Sequence, residues 1–306
     1  VRESIFMENI KDYSFRWRWN MVNDFRPQSI ESSGIKSYPT ANYVNYYGMQ
    51  NGYPINDMTK ADAESGYDPT HPWKNRDPRF YKTIMFDGVK WRNTGGAGGT
   101  AELFTGGRES EEANEKKGCF TAYMNSKLCP QLMNTFDGYK ENNIMILSLM
   151  RLADVYLMYA EATAVGYNSP KGKAATYSLT AEEALNKIRE RAGVAPVLEK
   201  FLGSTADFLS ELRRERAVEL SFEGFRFTDL RRWMLLTQYP YTLKTKIEFD
   251  RADPNNYNYD APEENAIKNL REVVLIERKY TDRHYWYPLP KKDVSMYEGF
   301  YQNPGW

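Results

Sequence analysis

Histidine and cysteine are almost absent from this chain, with two of each in 306 residues. His71 and His284 stand apart from any other metal-binding side chain, and Cys119 and Cys129 lack the close spacing of a zinc knuckle, so no metal centre is expected. The two thiols are compatible with a small disulfide loop formed in an oxidising compartment, or with two unrelated thiols. An excess of charge is missing too: basic and acidic residues number 41 each. That balance excludes the electrostatic footprint of a nucleic-acid binder or of a polybasic membrane-surface protein. Long apolar runs are absent as well. The nearest, "NIMILSLMRLADVYLMYAEA" (143–162), is interrupted by Arg151, Asp154 and Glu161, and falls short of the roughly 20 apolar residues that span a bilayer. The first residues, "VRESIFMENI", have neither a basic start before an apolar core nor a small-residue cleavage site. The expectation is a mature or trimmed product.

Aromatic residues, in contrast, abound: 23 Tyr, 15 Phe and 7 Trp. Tyrosine and tryptophan combine apolar area with a polar handle, so with this many some are expected at a recognition surface. Residues 1–145 are rich in Gly, Pro, Asn and aromatics, with little periodicity, and read as a loop-rich lobe with short strands that faces ligand. The glycine run "NTGGAGGT" (93–100) lacks the Lys-Ser/Thr ending and the strand-to-helix setting of a phosphate cradle, and reads as a solvated loop.

Residues 146–240 change to helix. In "ILSLMRLADVYLMYAEATA", Leu149, Leu152, Tyr156, Tyr159, Ala160 and Thr163 recur at helical steps and predict a buried stripe. In "TAEEALNKIRERAG", Thr180 and Glu183 form a capping box. Ala181, Ala184, Leu185, Ile188 and Ala192 line one face, and Gly193 with Pro196 ends the helix. The pair resembles one tetratricopeptide-type unit with an overlong connector. One such unit cannot bury its own faces, so its partner helices are expected to be missing, divergent or on another polypeptide. A third helix starts near Ser204 and Thr205 and breaks at Gly224. Residues 241–306 read as an irregular segment, with "EVVLIERKYTDRHYWYPLP" (272–290) as a strand stopped by proline. Its loop "DRADPNNYNYDAPEEN" (250–265) offers oxygen ligands for calcium but lacks the fixed spacing of an EF-hand, so no cofactor is expected.

The stretch "ERAVELSFEGFRFTDLRRW" (215–233) concentrates ionic groups. On a helix, Glu215, Glu219 and Glu223 share one face. Arg216 lies beside them, and Arg226, Asp229 and Arg232 follow the Gly224 break. Carboxylate pairs serve glycosidases, but that chemistry needs one carboxyl with a raised pKa. Arginines within a few residues lower the pKa and occupy the oxygens. The cluster therefore reads as a structural network, with Arg226 and Arg232 as partners of the glutamates.

Five motifs together resemble the SusD/RagB-type proteins: "NRDPRFYKTIMFDG" (75–88), "RLADVYLMYAEA" (151–162), "ALNKIRERAG" (184–193), "LRRERAVELSFEGFRFTDLRRW" (212–233) and "QNPGW" (302–306). The resemblance implies a mainly α fold, with tetratricopeptide-like helix pairs packed on a loop-rich irregular lobe. It implies a non-enzymatic, surface-exposed outer-membrane lipoprotein that captures glycans for a SusC-like TonB-dependent transporter. In one branch of the family the ligand is peptide. Family chains are considerably longer, so the expectation is a C-terminal part, whose N-terminal part would be a further partner and would carry the lipid anchor. A helical-repeat scaffold for partner proteins is the alternative, and a glycoside hydrolase a distant third.

Sugar recognition uses aromatic rings as platforms and nearby amides or guanidiniums for hydroxyls. Trp17, Trp19, Tyr43, Tyr46, Tyr47, Trp73 and Trp91 are the candidate rings. Asn45 and Arg76 are candidate polar contacts, with Asn42 and Asn51 as further neighbours. For each ring the competing assignment is a partly buried structural aromatic.

Overall fold

A computed structural model describes residues 3–7, 27, 30, 38–93, 99–129, 134, 136–138 and 148–306. Strand β1 (Ser4–Met7) pairs antiparallel with β4 (Ser148–Arg151), and the two-residue strands β2 (Ile84–Met85) and β3 (Met124–Asn125) pair with each other. Two short helices, α1 (Ala41–Val44) and α2 (Pro78–Thr83), lie in the loop-rich lobe. Its core is aromatic. Trp73 packs on Phe86 at 4.9 Å and edge-on to Phe249 at 5.3 Å, and Phe80 stacks on Phe86 at 5.2 Å.

The helical layer consists of α3 (Leu152–Gly166), α4 (Ala181–Ala192), α5 (Thr205–Glu219) and α6 (Phe225–Arg232). Ala160, Ala164, Ala181 and Ala184 let α3 and α4 approach closely, and Leu185, Phe208 and Leu212 fill the space against α5. The α4 capping box between Thr180 and Glu183 is present, and Gly193 ends the helix at φ 74°, a left-handed conformation without steric penalty for glycine. The α3 stripe differs from the periodic reading. Strand β4 occupies the turn before the helix, so Leu149 points outward and is 57% exposed. The buried positions are Ala153, Asp154, Leu157, Ala160, Thr163 and Ala164, so Ala160 and Thr163 stand as expected, while Leu152 and the two tyrosines are only partly covered. Ala192 is also only partly covered.

Residues 241–306 are more regular than expected. Strand β5 (Leu243–Arg251) and β6 (Ile267–Glu277) form a long antiparallel hairpin, followed by the short helix α7 (Lys291–Met296). Along β5 the alternation is complete: Thr245, Ile247, Phe249 and Arg251 are buried, and the residues between them are not. The hairpin thus places Phe249 and Ile247 in the aromatic core and leaves the other face toward solvent.

Candidate functional site

The segment Asn75–Phe80 is built around two arginines with different tasks. Asp77 caps α2 by accepting from the Arg79 amide at 2.9 Å, and Pro78 stands at the first helical position, where its missing N–H costs nothing. Arg76 is fully buried and donates to the Tyr47, Pro72 and Val44 carbonyls at 2.8, 2.8 and 3.0 Å. It ties three turns of main chain together. Arg79 reaches out of the helix to Asp77 at 2.7 Å, Glu215 at 2.5 Å and Glu219 at 2.9 Å.

Every carboxylate of the ionic cluster has such a distant partner. Glu215 also accepts from Arg189 at 2.9 Å; Glu219 accepts from Arg151 and Arg191, each at 2.5 Å. Glu223 lies beyond the end of α5, in the turn before Gly224, and still joins through Arg151 at 2.8 Å and Lys127 at 2.6 Å. A second group links Arg216 to Asp154 and Asp229 at 2.6 and 2.7 Å, and Arg232 to Asp229 at 2.8 Å and to Glu161. The expected pairing is therefore corrected. The guanidiniums facing Glu215, Glu219 and Glu223 come from α2, β4 and α4, whereas Arg226 and Arg232 point elsewhere. Burial alone would raise the Glu215 and Glu219 pKa values, but the surrounding arginines outweigh it and hold both at about 2. Held this low, Glu215 and Glu219 stay ionised near neutral pH and lack the raised pKa that the acid of a glycosidase needs. A cleft of about 550 Å³ opens beside it, between Lys82, Leu128, Leu149 and Phe222, and its arginines Arg79, Arg151 and Arg191 are already ion-paired.

The residues expected to bind ligand separate into three groups. Trp17 and Trp19 lie outside the described residues. Tyr47, Trp73, Arg76 and Trp91 are buried and present no ring face or charge to a ligand in this structure. The physical reason is specific in each case. Tyr47 donates to Ser221 at 2.8 Å, Trp73 donates to the Tyr123 hydroxyl at 3.3 Å, and Trp91 is closed off by Phe136 at 5.4 Å. The half-exposed Phe136, backed by the Arg92 guanidinium 4.0 Å over its ring, is the more open aromatic there.

Tyr43, Asn45 and Tyr46 form the third group, partly exposed on α1 and the turn after it. Asn42 anchors this turn on β5, donating its amide to the Leu243 carbonyl at 2.8 Å. Tyr43 donates to the Ala217 carbonyl at 2.6 Å and meets Tyr46 edge-on at 5.7 Å. Arg226, expected in the ionic cluster, instead lies 4.8 Å over the Tyr46 ring and 5.6 Å from that of Tyr241. Asn45 Oδ1 is buried without a hydrogen-bond partner among the described residues. Sequence reasoning passed over Tyr241 and Lys244, which complete this face. The period-two alternation of β5 was the signal that could have found Lys244, which it sets on the outward side, whereas Tyr241 lies before the strand. Together they make a tyrosine-walled surface with a guanidinium, a chemistry suited to stacking and polar contacts.

A family model described as the SusD family matches residues 2–306. Among solved structures, a SusD-like protein from Bacteroides fragilis is 22% identical with a TM-score of 0.70, over 99% of this chain and 54% of that one. A SusD superfamily protein from Bacteroides vulgatus is 22% identical with a TM-score of 0.44, over 77% and 41%. A surface glycan-binding protein A from Bacteroides thetaiotaomicron is 16% identical with a TM-score of 0.42, over 99% and 52%. No curated protein matches the chain. The likeness to the Bacteroides fragilis protein shows a shared fold, and this chain spans about half that protein's length.

Proposed function

This chain belongs to the SusD family, and from that premise we propose that it is part of a cell-surface nutrient-binding protein that captures oligosaccharide for a TonB-dependent outer-membrane transporter. The observation that carries the reading is the family match across the whole chain, residues 2–306. The site chemistry agrees with capture rather than catalysis. Tyr43, Tyr46 and Tyr241 provide ring surface and Arg226 a fixed guanidinium, while the glutamates that could have acted as acid and base are held by arginines. Ligand is held by stacking and hydrogen bonds on a largely preformed face. In this reading the protein sits on the outer face of the outer membrane, held there by a lipid anchor.

A further helical part of the same protein is the second partner. The chain's last segment leaves Trp286, Tyr287, Tyr297, Tyr301 and Trp306 exposed, Tyr301 by 82%. Five large aromatics left open in one short segment are more than a surface facing only water usually carries. A layer of tetratricopeptide-type helices would cover it, since such units bury their faces on one another.

Calorimetry against a panel of polysaccharides, with reducing-sugar release measured in the same samples, tests the capture reading. Binding without product formation is expected, weakened by Tyr46→Ala. Release of reducing sugar would make the protein a hydrolase, and capture of peptides with no glycan binding would assign it to a peptide-binding role. Intact-mass analysis and light scattering test the second partner. A single species of this chain, folded alone and monomeric, would refute it.

A further inference from the structure

Three cationic residues, Arg226, Lys244 and Arg278, lie at the end of the β5–β6 hairpin away from its connecting loop. Lys244 stands opposite Ile276, and the Arg278 amide donates to the Thr242 carbonyl at 3.0 Å. Lys244 and Arg278 are therefore diagonal neighbours on one face of the hairpin. Arg226 arrives from the first turn of α6, between the rings of Tyr46 and Tyr241. The Arg278 guanidinium lies 5.8 Å from the Tyr280 ring centroid and donates to the Tyr280 hydroxyl at 3.1 Å.

Carboxylates are missing from this group. The nearby cations Arg232, Lys246 and Arg271 are each paired with an acidic side chain. Arg226, Lys244 and Arg278 have no such pair among the described residues. Burial, then the charges of Arg278 and Arg226, push the Lys244 ammonium down to about 8. Arg79, Arg151, Arg189 and Arg216 each face carboxylates, whereas the half-buried Arg226 and Lys244 and the exposed Arg278 do not. Like charges held together in a partly dry setting raise the free energy unless an anion joins them.

We infer that Arg226, Lys244 and Arg278 form a subsite for the oxyanion of an acidic saccharide, either a uronate carboxylate or a sulfate ester. A guanidinium recognises either group through paired N–H donors, and an ammonium adds a point charge. The tyrosine rings around the cations favour a saccharide over a peptide, because a pyranose offers them a flat apolar face beside its charged substituent. The inference rests on the capture reading and narrows it to glycans that carry negative charge.

Calorimetry with three probes tests it: trigalacturonate, a sulfated chondroitin tetrasaccharide and neutral maltotriose. Wild-type protein should bind at least one acidic probe, more weakly as salt is raised, and the tighter of the two identifies the oxyanion. Lys244→Gln and Arg226→Gln should each weaken acidic binding at least about tenfold, or about 1.4 kcal/mol. Lys244→Arg should retain most of it. Lys244→Gln should fold with an unchanged or slightly raised thermal midpoint, because it relieves repulsion. Unchanged acidic binding in this folded variant would overturn the inference. Binding of neutral glycans alone would overturn it and leave the capture reading standing. Binding of no glycan, or of an acidic peptide in place of a saccharide, would overturn both.

Discussion

Replacing Glu219 by glutamine keeps the side-chain volume and removes one negative charge from a site shared by three guanidiniums. Arg79, Arg151 and Arg191 donate to its oxygens at 2.9, 2.5 and 2.5 Å, and the residue is buried. Burial would raise the pKa of this carboxyl, but Arg151, Arg79 and Arg191 prevail and bring it from 4.5 to about 2. At about 1.4 kcal/mol per pKa unit, that lowering corresponds to about 3 kcal/mol of stabilisation in the ionised form. Removing one partner of a buried ion pair typically costs about 3–5 kcal/mol, which is of the same size. Urea unfolding at pH 7, followed by tryptophan fluorescence, should show a lower midpoint for Glu219→Gln with an unchanged slope. The pH dependence has a definite sign. A folded pKa below the unfolded one gives stabilisation that is complete above pH 4.5 and lost as pH falls through about 2. The gap between wild type and variant should therefore close across that window. A variant within about 1 kcal/mol of wild type at pH 7, or a gap that stays constant on acidification, would refute the reasoning.

Other consequences follow from the same structure. Arg76→Met should destabilise by at least about 3 kcal/mol, because three buried carbonyls lose their donor at once; a thermal midpoint within a degree or two of wild type would show that water replaces the guanidinium. Thr180→Ala removes one half of the α4 capping box and should cost about 1 kcal/mol in chemical denaturation, with Thr180→Ser close to neutral. Burial pushes the Cys119 thiol up to about 11, so a thiol reagent at pH 8 should modify Cys129 first, with Cys119 reacting only as the protein unfolds; equal rates in the folded protein would contradict the burial.

The parts of this fold that depend on neighbouring residues were legible in the sequence. The Thr180–Glu183 box, the Gly193 stop and the Ser204 start are decided by chemistry within a few residues, and each is present. The α3 stripe was misjudged because "ILSLMR" is apolar enough to extend a helical pattern, while pairing with β1 draws Ser148–Arg151 into a strand. Of the β5–β6 hairpin only the second half of β6 was read, within a strand drawn on to Pro290 that in fact ends at Glu277, and β5 was missed although it alternates cleanly. Its partner lies beyond a long polar connection, so no short turn signal joins the two strands. Partner choice in the ionic cluster could not be read locally. Arg226 and Arg232 are near Glu219 along the chain, but Arg79, Arg151 and Arg191 are near it in space. The same limit applied to the aromatics. Tyr43, Tyr46 and Tyr47 stand within five residues, yet the short helix α1 turns Tyr47 into the core and leaves Tyr46 under Arg226.

The central claim is that the ionic cluster holds the fold while ligand binds on the tyrosine-walled face. One paired calorimetric measurement addresses it directly: the affinity of folded Glu219→Gln and folded Tyr46→Ala for the same glycan, below both unfolding midpoints. Unchanged affinity for Glu219→Gln beside weakened affinity for Tyr46→Ala is the expected result. Loss of binding in Glu219→Gln at full folding, with Tyr46→Ala binding as wild type, would contradict it.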